Sequence, residues 1–188
     1  MSFASIVPLI GGETIAMENI FGERPKYIMT YEGFQDNESH LRHYYNDEVP
    51  YLNLSEGASY TEKVDVINTV CPCAGLSSLS PSAASNNPMN EWMYKSAEYV
   101  LGEVQPDVFW GENAPRLASK MGEPVVRRLR KIGEDNGYAY YARSILSSNS
   151  DTKTKFQART TVRDEVTDSA VVEIYNQLSK MGETYITD

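Results

Sequence analysis

Short apolar runs alternate along this chain with longer stretches in which apolar positions recur every three or four residues. The first run, residues 3–9 (FASIVPL), ends at Gly11-Gly12, after which Ile15, Ala16, Asn19 and Ile20 follow at helical spacing. That pattern predicts a strand, a glycine turn and a helix. Residues 26–31 (KYIMTY) predict a second strand ending at Glu32-Gly33. Asp36 is placed to N-cap a helix running through Tyr45, with Leu41, Tyr44 and Tyr45 inward. Residues 64–70 (VDVINTV) are β-rich and run into Cys71-Pro72-Cys73. From Ser77 to Asn90 the chain is rich in Ser, Ala, Asn and Pro, which predicts a mobile loop.

A helix is expected over 90–104, with Met93, Ala97, Val100, Leu101 and Val104 on one face. Residues 107–111 (DVFWG) predict another strand. Pro124 suits the first position of a helix whose inner face carries Val125, Val126, Leu129 and Ile132, and Gly133 or Gly137 can end it. Residues 138–146 (YAYYARSIL) predict a strand and 147–155 a polar loop. A last helix is expected over 164–181, with Ala170, Val171, Ile174, Leu178 and Met181 inward and Gly182 as its stop.

Strands alternating with helices imply right-handed crossovers and a doubly wound α/β fold, a mostly parallel sheet covered on both faces. Ligands of such sheets sit at the carboxyl ends of the strands. Gly11-Gly12, Glu32, Cys73 and Glu112 all fall at such ends. No internal repeat and no domain linker interrupts the pattern.

Composition narrows the class. The 188 residues are 41% hydrophobic and 23% charged, as expected for one soluble globular domain. No run approaches a membrane span, and Met1-Ser2-Phe3-Ala4-Ser5 does not begin a signal peptide. Two cysteines one residue apart make a poor structural disulfide, so a reducing compartment, the cytoplasm, is expected. The net charge of −9 opposes a free-standing nucleic-acid binder, which normally carries a basic footprint. Basic residues cluster locally at Arg127, Arg128, Arg130 and Lys131, and again at Lys153, Lys155, Arg159 and Arg163. The first cluster reads as a solvated helix face.

Candidate chemistry centres on Val70-Cys71-Pro72-Cys73-Ala74-Gly75-Leu76-Ser77 and Gly111-Glu112-Asn113-Ala114-Pro115. The first sets a thiol in a Pro/Gly turn after an apolar run; the second sets a carboxylate after another. A cysteine nucleophile paired with an acid suits covalent attack on an electron-poor ring. Cys71 reads as a small buried apolar residue. A metal site of Cys71, Cys73, His40 and His43 is disfavoured, because Cys-x-Cys is not the usual Cys-x₂-Cys spacing. Gly11-Gly12 is either an ordinary tight turn or a close approach of backbone to a cofactor.

In their order these segments resemble the cytosine-5 DNA methyltransferase family, especially its phage-type members. Pro8-Leu9-Ile10-Gly11-Gly12 looks like the Gly-rich first turn, without its first glycine. Tyr31-Glu32 looks like the acidic position after the second strand. Pro72-Cys73-Ala74-Gly75-Leu76-Ser77 and Glu112-Asn113-Ala114 look like the Pro-Cys-x-Gly-Phe/Leu-Ser and Glu-Asn-Val motifs. The resemblance covers roughly residues 5–145.

It implies a sheet of the S-adenosylmethionine-dependent methyltransferase type, with 1–146 as catalytic core and 147–188 as a divergent loop and helix packed on it. It implies S-adenosylmethionine as methyl donor, bound near Leu9, Ile10, Gly11, Gly12, Glu32, Asn53 and Pro72. Cys73 would be the nucleophile and Glu112 the acid at cytosine N3. Arg159, in Gln157-Ala158-Arg159, is the candidate for the family's Gln-x-Arg-x-Arg motif, without its second arginine or its usual flanking strand. The family's target-recognition domain and last motifs have no counterpart here. The expectation is therefore an enzyme half acting on DNA with a second subunit in a bacterial host cell. The alternative is an inactive methyltransferase-like phage protein that binds a host defence or other protein partner.

Overall fold

A computed structural model describes residues 1–34, 39–59, 62–146 and 155–163, with 141–146 and 155–163 described by their backbone. Strands β1 (Phe3–Ile6), β2 (Ile28–Thr30), β3 (Tyr51–Asn53), β4 (Val66–Thr69) and β5 (Val108–Asn113) are joined by helices α1 (Gly12–Phe21), α2 (Ser39–Tyr44) and α3 (Glu91–Tyr99). Helix α3 continues as a π-helical turn over Val100–Val104. Helix α4 (Glu123–Asp135) leads to β6 (Tyr138–Leu146), and β7 (Lys155–Arg163) follows. The sheet order is β3-β2-β1-β4-β5-β7-β6. The first five strands pair in parallel, whereas β7 runs antiparallel to both β5 and β6.

Alternation along the strands sorts the core into two layers. On one face Phe3, Val66, Val108 and Trp110 pack against Ala16 and Met17 of α1. On the other, Ala4, Ile6, Ile67 and Phe109 meet Met93, Ala97 and Leu101 of the α3 segment and Val125 and Ile132 of α4. The doubly wound parallel sheet expected from the sequence is therefore present.

Several boundaries differ from the sequence reading, each for a local reason. β1 stops at Ile6 because Val7 and Leu9 leave extended backbone, with φ of +47° and +51°. β5 runs on to Asn113, so Glu112 lies in the strand rather than after it. β3 was not foreseen; at three residues it offers no alternation to detect. Tyr44 points outward, 48% exposed, while Leu41 and Tyr45 are buried as expected. Helix α4 passes through Gly133, and Gly137, with φ of +78°, follows its end. The segment around Gln157-Ala158-Arg159, expected to lack a flanking strand, is β7 itself. It pairs with β6, which precedes it in the chain, and with the distant β5, a pairing that local pattern cannot reveal. Asp36 and the helix expected over 164–181 lie outside the described residues.

The basic cluster on α4 is a paired, solvated face. Arg127 binds Glu123 at 2.7 Å, Lys131 binds Asp135 at 2.9 Å, and Arg128 binds Glu91 at 3.0 Å while stacking over Tyr94. Among the described residues, no helix is long and apolar enough to cross a membrane.

Candidate active site

Parallel pairing brings the carboxyl ends of β1, β2, β4 and β5 to one edge of the sheet. At the end of β4 the two cysteines part company. Cys71 is buried, its sulfur 3.1 Å from Thr69 Oγ1, 3.4 Å from the Trp92 carbonyl oxygen and 3.4 Å from Ser96 Oγ. Burial pushes its thiol pKa up, against the lowering effect of the Ser96 and Thr69 hydroxyls. That environment disfavours a thiolate. Cys73 is exposed. Its carbonyl accepts the N–H groups of Leu76 at 2.9 Å and Ser77 at 2.8 Å, so the nucleophile candidate sits at the head of a closed turn.

The loop beyond Cys73 is irregular but tied. Buried Asn90 donates through Nδ2 to the carbonyls of Ala84 at 2.9 Å and Ser85 at 3.1 Å, and Ala84 N–H donates to the Gly75 carbonyl at 2.9 Å. A Cβ at Gly75 would run into the Asn90 side chain. Gly75→Ala is therefore expected to displace Asn90 and cost about 2 kcal/mol, measured as a shift in the urea midpoint.

β5 supplies the acid and the braces. Asn113, 3% exposed, donates through Nδ2 to the Cys71 carbonyl at 3.2 Å and lies 3.3 Å from Met93 Sδ, while its Oδ1 accepts the Ala114 N–H at 2.8 Å. Arg116 Nη1 reaches the Ser77 carbonyl at 3.3 Å. These two residues clamp the Cys73 loop onto the segment after β5. Sequence reading gave neither a role, although both stand within five residues of Glu112. Glu112 is largely buried, and burial first, then the charge of Glu13, raise its carboxyl pKa to about 7. Both causes favour the protonated acid.

The remaining predicted residues lie at the ends of β1 to β3. Gly11, with φ of +86°, caps α1, and a Cβ there would strike Leu41. As N-cap, Gly11 offers no side-chain oxygen to the helix start. Leu9 takes a glycine-like φ of +51°. Ile10 is 69% exposed. Glu32 is exposed just past β2, its N–H donating to Ser55 Oγ at 3.0 Å. Beside it, Tyr31 packs tilted against Trp92 and Phe34 meets it edge-to-face, at 5.1 and 4.8 Å between ring centroids. Asn53 is locally engaged, with Oδ1 accepting Ser55 N–H and Nδ2 donating to Glu56. Pro72 is buried between the cysteines. Arg159 sits on β7 opposite Gly111, one residue from Ala158, which faces Glu112.

The glycine-turned start of α1 at Gly11-Gly12, an exposed carboxylate at Glu32 and the aromatic side chains beside it form a set compatible with S-adenosylmethionine. The helix start suits a carboxylate, Glu32 suits a ribose diol, and the aromatic side chains suit a purine. Asn53 fits less well, since its amide is already bonded.

No protein-family model matches this chain, and no curated protein sequence matches it. Solved structures do. A protein assigned as a DNA modification methyltransferase, encoded within an E. coli prophage, aligns over 90% of this chain and 49% of its own, at TM-score 0.62 and 15% identity. A triple-substituted Spodoptera frugiperda DNMT2 aligns over 89% of this chain and 51% of its own, at TM-score 0.58 and 14% identity. The Entamoeba histolytica methyltransferase EhMeth aligns over 89% of this chain and 55% of its own, at TM-score 0.56 and 16% identity. The chain thus spans about half the length of these structures. Sheet order and these likenesses together show that the chain has the fold of S-adenosylmethionine-dependent methyltransferases.

Proposed function

We propose that this chain carries the chemical half of a DNA (cytosine-5) methyltransferase. The observation that carries the reading is the pairing of an exposed cysteine, Cys73, with a largely buried acid, Glu112, at adjacent strand ends. Cys73 sulfur, as thiolate, adds to C6 of cytosine. The displaced electron pair moves toward C5, and N3 takes the proton of the Glu112 carboxyl, so no net charge builds on the ring. S-adenosylmethionine, bound near Gly11, Gly12 and Glu32, supplies an electrophilic methyl group for C5. Loss of the C5 proton to a base then expels the Cys73 thiolate from C6, and Glu112 recovers its proton from N3. The base must leave the helix stack to reach such a site.

The net charge of −9 and the ion-paired α4 face favour a division of labour. A second subunit of basic character would hold the DNA, and this chain would present the site. Wild-type protein, incubated with S-adenosylmethionine and a 5-fluorocytosine duplex together with the product of the adjacent reading frame, is expected to give an adduct stable to denaturing electrophoresis. Fluorine cannot leave C5 as a proton does, so the thioether persists. Absence of any adduct, joined to absence of S-adenosylmethionine binding by calorimetry, would overturn the enzyme reading in favour of a protein-binding role.

A further inference from the structure

Glu13 has no part in the chemistry above, yet the fold sets it beside Glu112. Helix α1 returns antiparallel to the strands, and Ala16 and Met17 pack on Val108 and Trp110 of β5. One turn before Met17, toward the carboxyl edge, is Glu13. Two residues beyond Trp110 on the same strand face is Glu112. The first turn of α1 is pinned there: Thr14 Oγ1 is 2.8 Å from Ser5 Oγ, which in turn hydrogen-bonds buried Asn68 on β4. Both carboxylates are thus fixed at one edge, each partly withdrawn from water.

We propose that Glu13 is a positioning residue for Glu112, its carboxylate at the start of α1 holding the proton on Glu112 so that the two acids carry one proton between them. The inference rests on the reading of Glu112 as the acid at cytosine N3. Two carboxyl groups held close cannot both ionise freely. The order of ionisation follows from their settings. Glu13 is raised by burial but lowered by a hydrogen bond from its own backbone N–H, at a helix start that favours negative charge. Glu112 is raised by burial and again by Glu13, with no lowering contact among the causes of its shift. Glu13 therefore ionises first and Glu112 keeps the proton.

β4 carries no charged residue from Val66 to Val70, and β7 sets Ala158 opposite Glu112, with Arg159 opposite Gly111. Among the described residues, Cys71, turned toward α3, and Tyr140 of β6 line the same cavity as Glu112, and Cys73 lies on the loop after β4.

The test is a carboxyl titration followed by ¹³C NMR on the full chain labelled at glutamate Cδ, with the Glu112 signal assigned by its loss in Glu112→Gln. In wild type the Glu112 midpoint is expected at about 7. In Glu13→Gln it is expected to fall by about one pH unit. In Glu13→Asp, which keeps the charge, it should stay within a few tenths. An unchanged midpoint in Glu13→Gln, or an equal fall in both variants, overturns the inference. Because the titration needs neither DNA nor methyl donor, it separates the two readings. A moving midpoint with no 5-fluorocytosine adduct leaves the acid pair standing and sinks the methyl-transfer assignment.

Discussion

Replacing Cys73 by serine should abolish the 5-fluorocytosine adduct, while replacing Cys71 by serine should leave it intact. A serine hydroxyl is protonated at neutral pH and adds poorly to a ring carbon. The loss in adduct rate is expected to reach about 10³-fold or more. Cys71 lies in the same Cys-Pro-Cys turn but behind it, enclosed by Thr69, Ser96 and the Trp92 carbonyl. Its replacement by serine changes a buried sulfur for a more polar oxygen, at a cost of about 1–2 kcal/mol in urea unfolding. The two variants thus separate chemistry from packing. An adduct that survives in Cys73→Ser and is lost in Cys71→Ser would reverse the assignment.

Glu112→Gln should lower the adduct rate by about 10²- to 10⁴-fold, because an amide can orient N3 but cannot hand it a proton. The ratio of the wild-type adduct rate to that of Glu112→Gln should decline as pH passes through about 7, where Glu112 loses its proton. The same shift carries a stability signature. Between the ordinary glutamate value of 4.5 and about 7, the folded chain binds this proton more tightly than the unfolded chain. Stability contributed by the protonated acid is therefore full below the ordinary value and is lost as pH rises through the window. Glu112→Gln should flatten that slope and be the more stable protein at pH 8, by on the order of 2 kcal/mol after screening by partial exposure. Parallel urea titrations at pH 5 and pH 8 check the sign: the advantage of the variant should appear only at the higher pH.

The sequence by itself determined those features that a short window of chain must satisfy. Apolar runs at residues 3–9, 26–31, 64–70 and 107–111 announce buried parallel strands, because both sheet faces are covered and no alternation is needed. Met93, Ala97, Val100, Leu101 and Val104 announce α3, because one face of a helix must be apolar wherever it packs. Pro72-Cys73-Ala74-Gly75 and Glu112-Asn113 were legible as candidate chemistry, since a reactive side chain needs a particular residue type at a turn. Only the tertiary structure decided the rest. The three residues of β3 and the antiparallel β7 exist because a neighbouring strand offers hydrogen bonds. Asn113 and Arg116 become braces because the Cys73 loop lies within their reach. Val7 and Leu9 adopt glycine-like backbone that no propensity foretells, and Tyr44 faces solvent where helical spacing placed it inward. Glu13 and Glu112, about a hundred residues apart, meet only because α1 folds back across β4 onto β5. Their shared proton depends on burial and on distance, and both arise when the helix docks on the sheet.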